Sequence, residues 1–194
     1  GEKRHEIDAQ LTMLATRNTP AFRAASMFLY GAIETPLLCD ARNILADVPR
    51  KRPRGSTVGA AQVAAAAEML AVRYREIDPA FAPNIQIRDD VTGLLVSGDR
   101  LMIGSDTVMP SYRLDALLAH EVSVHLLTYF NGAAQGLTIF RTGLAGYEGI
   151  QEGLGVFAEW ATGGLTRTRL RLLAGRVIAV DAMLHGASFI DVYR

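Results

Sequence analysis

The sequence predicts a mainly helical α+β fold with one small β-sheet. Three observations carry this expectation. Long stretches toward both ends place apolar residues at helical spacing and are punctuated by Pro, Gly and Ser/Thr signals. A middle stretch, 84–103, alternates apolar and polar residues around Ser97-Gly98-Asp99, a hairpin signal. Two apolar runs in the second half, 113–130 and 147–161, have helical length and carry histidines and carboxylates among their Leu, Ala and Val residues.

In chain order, 6–15 and 20–30 have helical periodicity, and Thr19 before Pro20 is a start signal because the fixed φ of proline suits the first helical position. Thr35-Pro36 opens another helix toward Ala46. Ser56 and Thr57 are expected to cap a long helix over 58–74, whose alanines favour close helix packing. Residues 84–88 read as a strand, and 93–96 with 100–103 as a hairpin, giving three short strands in a small sheet. The run 113–130 is the next helix and ends at Asn131-Gly132. The run 147–161 is another, ending near Gly163-Gly164, and 166–184 forms a final amphipathic helix.

Composition narrows the class of protein. With 49% hydrophobic residues the chain can bury a substantial core. Its 20 basic and 20 acidic residues cancel, so no global field draws it to nucleic acid or to an anionic membrane. The local cluster Arg50-Lys51-Arg52-Pro53-Arg54 reads as a solvated loop. One cysteine, Cys39, excludes an internal disulfide and is expected to be a buried apolar residue in a cytoplasmic protein. No signal peptide, membrane span, repeat or linker is visible, so 1–194 reads as a single domain. The missing initiator Met and the absence of a helix stop at Tyr193-Arg194 lead us to expect a piece of a longer chain, and nothing in the sequence fixes an oligomeric state.

The richest chemistry lies in His120-Glu121-Val122-Ser123-Val124-His125, followed further on by Gln151-Glu152-Gly153-Leu154-Gly155. Zinc takes neutral imidazoles and carboxylates in a four-coordinate shell, and a catalytic site supplies three protein ligands and leaves the fourth place for water. His120, His125 and Glu152 make that set, for one Zn2+ per chain. Glu121 stands beside a ligand but points elsewhere on its helix, which makes it the candidate general base. Glu152 also falls in an apolar run, where an unpaired carboxylate would be costly to bury.

The spacing of the histidines requires a distortion. At i and i+5 on a regular helix their rings diverge by about 140° and cannot both reach one ion. A π-type turn absorbs the extra residue by widening the helix, so a bulge is predicted within 121–124.

These motifs, with Leu126-Leu127-Thr128-Tyr129-Phe130-Asn131-Gly132, the run Gly143-Leu144-Ala145-Gly146-Tyr147-Glu148-Gly149-Ile150-Gln151-Glu152-Gly153-Leu154 and the stretch 22–31, resemble the tyrosine carboxypeptidase family, whose bacterial members carry a QEGLA motif. The resemblance runs along nearly the whole chain. It implies a zincin-like metallopeptidase core with a two-helix metal site, a zinc metallocarboxypeptidase acting on a peptide or protein C-terminus that ends in a bulky or aromatic residue, and the same roles for His120, His125, Glu121 and Glu152. Two departures stand inside the first motif, where Ser123-Val124 replace the Gly-Thr common in the family. Glycine relaxes a bulged backbone and a threonine hydroxyl can bond a nearby carbonyl, so the change bears on fine geometry. Gly155 stands where alanine is usual, which reads as a small loss of helix propensity.

Further residues have candidate roles. Tyr147 offers a donor to a carbonyl oxygen that gains charge, or else a packed ring with its hydroxyl at the surface. Glu159 lies on the same helix face as Glu152 and either orients a ligand histidine through its ring N–H or is a solvent-facing charge. A terminal carboxylate matches the fork of a guanidinium, and Arg113 and Arg141 flank the first motif's helix. Arg167, Arg169, Arg171 and Arg176 read as the wet face of the final helix, and His5 and His185 as structural or exposed. The strands over 94–103 are candidates to receive an extended substrate along an open edge, or they only cover the core. Two other functional classes stay in view: a metal-binding but catalytically silent regulatory relative, and a helical scaffold without metal.

Overall fold

Helical periodicity at the start of the chain becomes α1 (Glu2–Ala15), α2 (Ala21–Tyr30) and α3 (Thr35–Asp47). The computed structural model describes residues 1–51 and 55–193, so Arg52, Pro53 and Arg54 of the basic cluster lie outside the described residues. Beyond them come β1 (Thr57–Gly59), α4 (Ala60–Ile77), β2 (Asn84–Arg88), β3 (Leu94–Ser97), β4 (Arg100–Gly104) and β5 (Val108–Pro110). The second half is helical: α5 (Leu114–His120), a π segment (Glu121–Leu126), α6 (Leu127–Ala133), α7 (Thr138–Thr142), α8 (Tyr147–Ala161), α9 (Arg167–Leu184) and α10 (Phe189–Tyr193). The mainly helical α+β expectation holds.

The chain divides into two units, residues 1–52 with 167–194, and residues 53–166. In the first, α3 packs on α9 around Ala41, Val48 and Ala174. Arg171, expected on a wet face, instead donates to the carbonyls of Leu45, at 2.5 Å, and of Val48. Arg167 reaches the carbonyl of Asp47 at 3.2 Å. These are the orphan acceptors at the end of α3, and cations are favoured there by both hydrogen bonding and the helix dipole. Cys39 is exposed, which corrects the expectation of a buried thiol.

The second unit holds the main core. Val63, Ala67 and Ala71 recur every fourth residue on α4 and are fully buried, together with Phe81, Leu101 and Ile103 of β4, and Leu118, Val122 and Leu126. The small alanines let α4 approach the sheet closely, while Leu101 and Ile103 point inward by the two-residue alternation of a strand. Phe81 is flanked by the rings of Tyr74 and Phe130, with centroids at 5.1 and 4.9 Å.

Among the described residues five strands form where three were expected, in two sheets. One has the order β2-β4-β3, with β2 parallel and β3 antiparallel to β4, and the other pairs β1 with β5. Residues 57–59 were expected to open a helix. They pair instead with 108–110, and α4 begins after Gly59, whose N–H donates to Gln62 Oε1 at 2.9 Å. The hairpin over 94–103 therefore splits in role: β4 is central, and β3 is an edge with no strand on its outer side among the described residues. β3 also lies against the π segment.

Candidate metal centre

The helix containing His120 and His125 is distorted at the predicted place. Residues 121–126 form a π segment, and the N–H of Leu127 bonds the carbonyl of Val122, five residues back. Widening the helix there admits one more residue to the turn. Leu118, Val122 and Leu126 keep to the core, while both imidazoles turn toward α8.

On α8, Glu152 faces both rings. Its Oε2 lies 3.6 Å from His120 Nε2 and its Oε1 lies 3.4 Å from His125 Nε2. The two rings stand edge to face, with centroids 4.9 Å apart. One donor atom from each of the three residues falls within 4.8 Å of the other two. Each imidazole faces a different oxygen of the carboxylate, so one oxygen must turn between the two rings to serve both as a donor to one ion. By donor type the residues present fit a zinc ion: two imidazole nitrogens and one carboxylate.

The second ring nitrogen of His120 is also engaged. His120 Nδ1 lies 3.0 Å from Oε1 of Glu159, a carboxylate with no solvent exposure. Oε2 of Glu159 accepts from Arg113 Nη1 at 2.8 Å, and that same nitrogen donates to the carbonyl of Gly164, also at 2.8 Å. A proton on Nδ1 leaves the lone pair on Nε2, the atom that faces Glu152. Burial of His125 holds its imidazole below the usual histidine range, assisted by the nearby His120 ring and opposed by the charge of Glu152 and a hydrogen bond with Gln151. The neutral ring is the form that ligates metals.

Glycines set how closely these parts approach. A Cβ at Gly155 would sit 2.5 Å from Cε1 of His120, so the ring lies against bare backbone. A Cβ at Gly164 would sit 2.0 Å from that of Ala116 on α5. Neither contact was expected: Gly155 had been weighed only for helix propensity, and Gly163-Gly164 only as a helix stop. The clue available in the sequence was a glycine three residues after Glu152, on the same face of α8.

Glu152 is exposed, with 67% of its side-chain surface open, so the cost of burial belongs to Glu159 rather than to Glu152. Arg113, a candidate for a substrate carboxylate, is turned inward to Glu159 and Gly164. Arg141 is exposed on α7. Glu121 is half-buried at the first position of the π segment. Tyr147 is half-buried at the start of α8, its ring folded over Gly143 so closely that a Cβ there would lie 2.2 Å from it. His5 and His185 are exposed, in keeping with the expectation for them, and His185 Nδ1 is bonded to the carbonyl of Asp181 at 2.8 Å.

The family profile described as microtubule-associated tyrosine carboxypeptidase matches residues 1–194, the whole chain. The chain belongs to that family. Membership in the microtubule-associated tyrosine carboxypeptidase family implies tyrosine carboxypeptidase activity and agrees with a protein C-terminus as substrate. Within this member of the family the motif histidines, Glu152 and Glu159 meet between the helix of residues 114–133 and α8. No curated protein and no solved structure matches the chain. Among the described residues, no helix is long and apolar enough to cross a membrane.

Proposed function

We propose that this carboxypeptidase is zinc-dependent and removes a bulky or aromatic residue from the C-terminus of a peptide or protein. The observation that carries the reading is the convergence of His120, His125 and Glu152 across a π turn that, among the described residues, occurs only at the histidine pair. One Zn2+ would be held by those three residues. When bound there, zinc supplies Lewis-acid polarisation of the scissile carbonyl and brings the pKa of a water toward neutrality.

The remaining work falls to the chain. Glu121 accepts a proton from the attacking water and delivers it to the leaving amine. Tyr147 donates to the carbonyl oxygen as that atom gains negative charge. The outer edge of β3 offers unpaired backbone groups to an extended substrate and lies beside the π segment, which suits presentation of the last peptide bond. Arg141 is the exposed guanidinium for the terminal carboxylate, since Arg113 is already engaged.

The test is zinc per chain by plasma mass spectrometry, beside cleavage of a panel of peptides that differ in their last residue. About one equivalent in the parent, lost in His120→Ala and Glu152→Ala, together with release of aromatic C-terminal residues, is the expected result. A parent without zinc that still cleaves would defeat the metal reading. Tight zinc with no cleavage across the panel would select the silent regulatory relative, which Ser123-Val124 in the π segment favours.

A further inference from the structure

We infer that Arg113 and Glu159 are positioning residues: together they preset the tautomer and direction of the His120 ring before any ligand arrives. This rests on the proposed zinc site and adds to it the device that aims one of its ligands. Three observations meet here. Glu159 is fully buried, and its Oε1 faces His120 Nδ1 at 3.0 Å. Its Oε2 is held by Arg113 at 2.8 Å. Arg113 in turn grips the carbonyl of Gly164, where the absence of a side chain lets the end of α8 close onto Ala116 of α5. The assembly links the N-terminal end of α5, the C-terminal end of α8 and the first motif histidine.

Stability alone gives a poor account of this arrangement. A buried ion pair contributes little compared with apolar residues of similar volume, because desolvation offsets the attraction. What such a pair does well is fix geometry. A carboxylate facing Nδ1 accepts a hydrogen bond from Nδ1–H, which keeps the proton there and leaves the lone pair on Nε2, and the bond also fixes the rotation of the ring. Gly155 holds the ring from below, so His120 is constrained at its edge and at its face. Arg113 matters because it holds Oε2 of Glu159 at 2.8 Å, and its loss would leave a buried carboxylate without its guanidinium.

The test separates aim from stability. The double variant Arg113→Met/Glu159→Leu replaces the pair with apolar volume, so it is expected to fold with an equal or higher thermal midpoint. Its zinc affinity, measured by competition with a chromogenic chelator, should fall by about 10- to 100-fold. Unchanged affinity in a folded double variant would overturn the inference. A second measurement needs neither metal nor activity: nitrogen-15 histidine spectra of the metal-free parent in alkaline buffer. His120 protonated at Nδ1 is expected, and the Nε2–H form would overturn the inference. In Glu159→Gln, which keeps the shape of the side chain and serves if the double variant does not fold, the pure Nδ1–H form should be lost, and its retention would count against us. If the parent takes up no zinc, the zinc-site reading fails while the spectra still decide the role of Glu159.

Discussion

The ring of His120 lies directly on the backbone of Gly155, close enough that a Cβ at 155 would come within 2.5 Å of Cε1. Gly155→Ala therefore sets two effects against each other. Helix propensity should gain about 1 kcal/mol. The added methyl must push the ring away from Glu159, and zinc affinity should fall by about tenfold. Calorimetric zinc titration beside a thermal melt checks both. An alanine variant that binds zinc as the parent does would show that the ring has slack the structure does not reveal.

Glu121→Gln is expected to separate binding from turnover. The amide cannot take a proton, so peptide cleavage should drop by about 10²–10⁴-fold while zinc per chain stays the same. Loss of zinc in this variant would move Glu121 from proton transfer into the ligand set.

The burial that lowers the pKa of His125 has a consequence for acid stability. The unfolded chain binds this proton near the ordinary value of 6.5, whereas the folded chain binds it only at lower pH. As pH falls from that value toward the folded one, the unfolded state takes up a proton the folded state lacks, and stability drops. Urea midpoints of metal-free protein should thus decline as the pH falls below about 6.5. The decline should be shallower in His125→Gln, and equal slopes in the two proteins would remove His125 as a cause.

Leu126 is fully buried between α4, the sheet and the π segment. Leu126→Ala should cost about 2–5 kcal/mol, read from denaturant midpoints at constant m. The position immediately follows His125, so a cavity there should also loosen the site. Zinc added at saturating concentration is expected to restore part of the lost stability.

Helices over 147–161 and the strand over 84–88 were legible because each carries a clean period bounded by glycine or by a change of pattern. The π segment was legible for a different reason: two ligands at i and i+5 admit no regular helix. What stayed hidden depended on partners distant in sequence. Thr57–Gly59 are strand only because Val108–Pro110 lie beside them, and three residues carry too little pattern to announce a pairing. The same holds for Arg113. Its guanidinium was read as a candidate for a substrate carboxylate, and only the fold brings it to Glu159 and Gly164. Glu152 and Glu159, both in one apolar run, could not be told apart by burial until α8 had a neighbour.

One helix, α8, supplies everything that touches His120 from that side: the Glu152 carboxylate, the bare backbone of Gly155 and the Glu159 carboxylate. Their spacing is rigid, since one residue inserted between Glu152 and Glu159 would swing the latter by about 100° around the axis. Relatives of this chain should therefore keep the seven-residue interval between Glu152 and Glu159 inside the second motif's helix, without stretching it by a single residue.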